Sequence, residues 1–122
     1  MSEMKRILYV EDLIMSINIV KKMCSNKYDV QYSLNVESAL AKLKSESFDL
    51  ILLDINLQQP MDGLALASII KKDNLFNNKP IILVTAYQFD YDFNDLKNLG
   101  LNGYLQKPFT KSELLTKIEE LI

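Results

Sequence analysis

Three carboxylates stand where apolar runs stop: Glu11 and Asp12 directly after residues 6–10, and Asp54 directly after the all-apolar Leu50, Ile51, Leu52 and Leu53. An acid closing so apolar a run is costly unless partners meet it. Three carboxylates packed together would also repel one another and carry raised pKa values unless a cation neutralised them. Mg²⁺ suits that task, being a hard ion that takes oxygen ligands, keeps several waters and is usually held by one or two carboxylates plus a phosphate oxygen. Nothing soft enough for zinc or copper stands beside them. Thr85 and Lys107, at the ends of two further strand-like runs, add a hydroxyl and a point cation. A carboxylate such as Asp54 can act as nucleophile to form an aspartyl-phosphate, and catalysis of that transfer is mostly positioning and charge neutralisation.

Taken singly, each residue also has a plainer reading. Glu11-Asp12 could be a solvated turn with a helix N-cap, Thr85 a β-former ending a strand, Lys107 a surface charge and Tyr104 a core or rim aromatic. Asp62-Gly63 reads as a turn and helix start, not as a metal ligand. The joint pattern carries the chemistry.

The elements that must position these groups follow from the hydrophobic pattern. Strand-like runs at 6–10, 28–33, 48–53, 81–85 and 103–106 alternate with amphipathic stretches, a βαβ rhythm that predicts a parallel sheet covered on both faces. The third and fourth runs are the most apolar and so the most central. Val36, Ala39, Leu40 and Leu43 mark one buried helix face, and Gly63, Leu66, Ala67 and Ile70 another. The first helix carries Leu13, Ile17, Val20 and Cys24 on one stripe, broadened by Ile14, Ile19 and Met23. The last opens with the capping box Thr110-Lys111-Ser112-Glu113 and then buries Leu114, Leu115, Ile118 and Ile122. Residues 87–93 alternate aromatic and polar side chains, as a strand would. A right-handed crossover into the fifth strand instead demands a helix, with Phe93, Leu96 and Leu99 as its apolar side and Gly100 as its stop. The fold expected is α/β, a doubly wound (βα)5 unit occupying residues 1–122 as one domain, and among the orders open to such a unit the flavodoxin-like 2-1-3-4-5 is taken. In such sheets ligands bind beyond the carboxyl ends of the strands where the order reverses, here between strands one and three, so the three carboxylates should meet.

Composition narrows the function classes. The chain has 122 residues, a formal net charge of -2 and scattered lysines, which leaves no basic stripe for a nucleic-acid backbone. Histidine is absent, which excludes Ser-His-Asp triads and His-ligated zinc. A lone cysteine, Cys24, cannot form an internal disulfide and is read as a buried small hydrophobe in a reducing compartment. The apolar runs are too short to span a bilayer and no charged-then-apolar leader precedes the first strand, so a cytoplasmic protein without a membrane partner is expected.

Val10-Glu11-Asp12, Leu53-Asp54, Met61-Asp62-Gly63, Val84-Thr85-Ala86 and Tyr104-Leu105-Gln106-Lys107-Pro108-Phe109, in that order and spacing, resemble response-regulator receiver domains of two-component signal transduction. The resemblance covers the whole chain. It implies that Asp54 is the phosphoacceptor, that Asp12 holds Mg²⁺ directly with Glu11 acting through water, and that Asn56 ligates through its main-chain carbonyl. It also implies that Thr85 hydrogen-bonds the phosphoryl group, Lys107 pairs with it, Tyr104 changes rotamer with Thr85 on activation, and the Lys107-Pro108 bond is cis. Asn56 and Tyr87, each two residues past a site residue, would tune dephosphorylation. The implied partners are a sensor histidine kinase or histidine phosphotransfer protein and a downstream protein reading the face of helix four, strand five and helix five. A monomer and a homodimer are both compatible. The pattern departs from the family in an Asp54-to-Asp62 loop one residue longer than usual and in Leu101, where alanine is frequent.

Three other readings compete. A haloacid-dehalogenase-type phosphatase needs a second acid two residues past the nucleophile, where this chain has Asn56, and needs room for a cap domain. A nucleotide-binding module of flavodoxin or Rossmann type needs a phosphate-cradling glycine loop after strand one, and the three glycines, Gly63, Gly100 and Gly103, lie elsewhere. A non-phosphorylated receiver-like scaffold would be expected to have lost site residues that are present here. The expected role is thus a signalling switch that catalyses only its own phosphorylation and dephosphorylation.

Overall fold

Runs in which every residue is apolar can bury both faces of a strand, and they form the interior of the sheet here. The computed structural model describes residues 4–54, 60–72, 78–86 and 100–122. Five strands, β1 (Lys5–Val10), β2 (Tyr28–Ser33), β3 (Leu50–Asp54), β4 (Ile81–Thr85) and β5 (Gly103–Gln106), pair in parallel in the order β2-β1-β3-β4-β5. The described helices are α1 (Ile14–Met23), α2 (Val36–Ser45), α3 (Pro60–Lys72) and α4 (Lys111–Leu121), the last being the C-terminal helix expected as the fifth. The crossover helix expected before β5, with residues 87–93, lies outside the described residues.

Strand alternation divides the interior into two cores. Leu8, Val10, Ile51, Leu53, Ile81 and Leu83 face α2 and α3, meeting Ala39, Leu43, Leu66, Ala67 and Ile70. Ile7, Tyr9, Leu50, Leu52, Ile82 and Val84 face the other way, onto Ile17, Val20 and Cys24 of the α1 segment and Leu114 and Ile118 of α4. Cys24 is a buried free thiol, as expected, and burial pushes its pKa up to about 11.

Helix ends follow their local chemistry. Asn35 caps α2 through Ser38 N–H at 2.7 Å, and Thr110 with Glu113 completes the expected capping box on α4. The third helix begins at Pro60, two residues before the expected start at Asp62, because proline suits the first helical turn, where no N–H partner is needed. Gly100 adopts φ +86, and a Cβ there would collide with Lys71 Cγ, so the turn into β5 requires glycine. Four apolar expectations need correction. Leu13, Ile14 and Ile19 are exposed, since α1 buries only the narrower stripe of Ile17 and Val20. Ile122 is likewise exposed, lying past the last turn of α4.

Candidate functional site

Parallel pairing in register brings the C-terminal ends of β1, β3 and β4 to one rim. Val10 pairs with Leu53 and Asp54 with Val84, so Glu11 and Asp54 emerge as neighbours. Alternation sends both toward the face shared by Tyr9 and Leu52. Glu11, Asp12 and Asp54 each offer a carboxylate oxygen, all within 4.8 Å of one another. The expected meeting of the three acids is present, with Glu11 buried, Asp54 half-buried and Asp12 exposed.

Lys107 reaches this cluster from the end of β5. Its main-chain N–H bonds Thr85 O at 2.8 Å, and its Nζ donates to Glu11 Oε2 at 3.0 Å and Asp54 Oδ2 at 3.2 Å. The following Lys107-Pro108 bond is cis, as the resemblance implies. Glu11 also accepts from Leu13 N–H at 3.0 Å through Oε1 and from the Tyr9 hydroxyl at 3.2 Å through Oε2. A cleft of about 480 Å³ opens beside Lys107, between α1 residues such as Ser16 and Ile19 and the segment Lys107, Pro108 and Phe109.

Burial opposes ionisation of the two inner acids, and their neighbours split the outcome. Burial, the hydrogen bond with Glu11 and the charge of Glu11 together push Asp54 up to about 7, against the pull of Lys107. Burial would raise Glu11 too, but its hydrogen bonds with Asp54 and Lys107 hold it below the usual carboxylate range. An all-oxygen set of clustered carboxylates, one of them pushed up by burial and by its neighbour's charge, fits a hard divalent ion. Glu11, Asp12 and Asp54 are the side chains that could hold it.

Thr85 is fully buried at the end of β4 and continues the face of Ile81 and Leu83, opposite to the acids. Tyr104 is half-buried and packs on that same core. The two residues expected to switch together thus share one side of the sheet. Asn56 and Tyr87, and residues 55–59 of the stretch from Asp54 to Asp62 expected to be one residue longer than usual, lie outside the described residues. Leu101 is buried in the core on the α2 and α3 face. The sequence reading missed Tyr9, whose hydroxyl joins the site. A tyrosine two residues before a strand-end glutamate was the available signal, because that spacing puts both side chains on one face.

Residues 7–119 match the response regulator receiver domain family. The chain belongs to that family. Transcriptional regulatory protein CrdR of Helicobacter pylori is 34% identical over 116 residues, which cover 94% of this chain and 54% of that protein. This receiver domain therefore spans about half the length of that curated relative. It also superposes on Vibrio cholerae chemotaxis protein CheY4 with a TM-score of 0.88 at 26% identity, covering 98% of this chain and 100% of that one. A second solved relative is the receiver domain of sensor histidine kinase PA1611 from Pseudomonas aeruginosa, described with a magnesium ion coordinated in its active site cleft. The TM-score is 0.83 and the identity 27%, with 98% of each chain covered.

Proposed function

We propose that this receiver domain, taken as residues 1–122, is a phosphorylation switch. Asp54 accepts a phosphoryl group from a sensor histidine kinase or a histidine phosphotransfer protein in a Mg²⁺-dependent reaction. The observation that carries the reading is the single ammonium of Lys107 bridging Glu11 and Asp54 at the rim where the three carboxylates meet. Glu11, Asp12, Asp54 and the Asn56 main-chain carbonyl would hold Mg²⁺, which when bound neutralises charge on the transferring group.

An Asp54 carboxylate oxygen attacks phosphorus as the bond from phosphorus to the donor nitrogen breaks, and the electron pair leaves with the donor imidazole. Lys107 then turns from Glu11 and Asp54 toward the new phosphoryl oxygens. Thr85, at the very end of β4, turns its hydroxyl round the rim from the α2 and α3 side to donate to the same group. The roughly −1.5 to −2 charges gained bias an existing equilibrium in which Thr85 and Tyr104 move together. A downstream protein reads the change on the face of β5, α4 and the crossover helix expected before β5. The domain is a signalling module and acts catalytically only on its own phosphorylation state.

A protein donor fits the surface around the acceptor. Leu13, Ile14, Met15 and Ile19 are all about half or more exposed on the segment that follows Glu11 and Asp12, an apolar surface for a partner protein to cover. No described helix is long and apolar enough to cross a membrane. A cytoplasmic location suits the free thiol of Cys24.

The test is intact mass after incubation with Mg²⁺ and a small phosphodonor. The wild-type chain should gain one phosphoryl group and Asp54→Asn none. Stoichiometric labelling of Asp54→Asn would overturn the assignment.

A further inference from the structure

Tyr9 is fully buried in the core beneath α1, where phenylalanine would fill nearly the same volume. A buried phenol costs free energy unless its hydroxyl is bonded, and here the hydroxyl donates to Glu11 Oε2 at 3.2 Å. The ring belongs to the buried cluster that holds Ile17 and Val20 and forms part of the wall of the cleft beside Lys107, and a fully buried ring on a central strand has little freedom to carry its hydroxyl elsewhere. Glu11 Oε2 has a second donor, Lys107 Nζ, but that ammonium sits on a long side chain that also serves Asp54. Oε1 is pinned separately by Leu13 N–H.

These two donors to Oε2 differ in what they can do. Lys107 can leave, and on the reading above it does leave when a phosphoryl group arrives. Tyr9 cannot. We infer that Tyr9 is a positioning residue for the cation site, its hydroxyl keeping the Glu11 carboxylate oriented whether or not Lys107 is engaged there. A glutamate has one more rotatable bond than an aspartate, and the fixed phenol with the Leu13 amide removes that freedom. Outer partners of metal-holding groups typically change metal affinity by about 10–100-fold when removed.

The inference rests on the Mg²⁺ reading of the site. It is tested by calorimetric Mg²⁺ titration of the 122-residue chain as wild type, Tyr9→Phe, Glu11→Asp and the double variant, each well below its melting temperature. Tyr9→Phe should bind Mg²⁺ about tenfold more weakly. Glu11→Asp withdraws the carboxylate from the phenol, so adding Tyr9→Phe to it should change affinity less than about twofold. Unchanged affinity in Tyr9→Phe, even with a lowered melting temperature, would make Tyr9 purely structural and overturn the inference. Equal losses from Tyr9→Phe in both backgrounds would overturn it as well. Absence of saturable Mg²⁺ binding in the wild type would instead overturn the metal reading, and the inference with it.

Discussion

The two ends of β1 carry charge in opposite ways. At its start, Arg6 donates to Asp29 at 3.3 Å, to Glu46 at 2.7 Å and to Ser47 O at 3.0 Å, while its guanidinium lies 4.8 Å from the Phe48 ring centroid. Lys42 adds a second cation near Glu46 at 3.7 Å. Hydrogen bonding to Glu46 and Asp29 raises the Arg6 pKa, and the bond from Arg6 holds Glu46 below the usual range. At the other end, Glu11 and Asp54 share a single ammonium, with side-chain exposures of 0% and 9%, against 30–40% for Arg6, Asp29 and Glu46. Both ends gather acids around a base, but only the buried one pushes a carboxylate up to about 7. Water screens the first cluster, so every charge there can be satisfied in place. Among the described residues one ammonium serves both inner acids of the second, and burial weakens what water can add, which is the condition that makes room for a cation and a phosphoryl group.

Removing one base from each end should expose the difference most strongly at the buried end. Lys107→Ala in Mg²⁺-free buffer at about pH 8 should lose about 2 kcal/mol of unfolding free energy, below the ~3–5 kcal/mol of a fully buried broken pair because Lys107 is partly exposed. Urea melts with and without Mg²⁺ check this, and added Mg²⁺ should return most of the loss. An equal loss with and without the ion would break the comparison.

Titration gives the next effect. Below about pH 4, Asp54 is protonated in the folded and the unfolded chain alike. Between there and about 7 the folded chain keeps a proton that the unfolded chain has released, so stability of the metal-free protein should fall as pH rises through that window and level off above it. Glu11, held below its usual range, acts only at lower pH and with the opposite sign. Thermal melts from pH 4 to 8 should show the decline in wild type. The decline should flatten in Asp54→Asn and with saturating Mg²⁺.

The smallest change belongs to the exposed end. Arg6→Met keeps the stem over Phe48 and removes the ion pairs, so its stability should fall less than that of Lys107→Ala, and the difference from wild type should shrink in high salt. Mg²⁺ affinity should stay at the wild-type value in Arg6→Met and be lost in Asp12→Ala, as calorimetry would report. A weakened Mg²⁺ site in Arg6→Met would mean that the two ends are coupled through β1.

Much of this was legible beforehand because it depends on patterns that survive without partners. Leu50 to Leu53 could hardly be anything but an inner strand, and an acid after it had to meet something; both hold. The Thr110 capping box is local chemistry and appears as expected. What failed was the count of buried positions on α1. Apolar residues cover more than half its circumference, and sequence alone does not say which part faces the sheet, so the pattern cannot separate the exposed Leu13, Ile14 and Ile19 from the buried Ile17 and Val20. Tyr9 escaped notice for the converse reason. Its ring satisfied the strand pattern completely, and the pattern is silent about a hydroxyl at the end of an apolar side chain.

Strand alternation has a practical consequence for watching this protein work. Isotope-labelled methyl groups of its isoleucines and leucines fall into two sets by sheet face: Ile7, Leu50, Leu52 and Ile82 on one, Leu8, Ile51, Ile81 and Leu83 on the other. The first set shares its side with Glu11 and Asp54, the second with Thr85 and Tyr104. A single methyl spectrum therefore holds two separate recording channels, one for the arrival of an ion or phosphoryl group and one for the response that follows it. Titrating Mg²⁺ and then a phosphodonor, and noting which set of peaks moves at each addition, would time cause against effect within one sample.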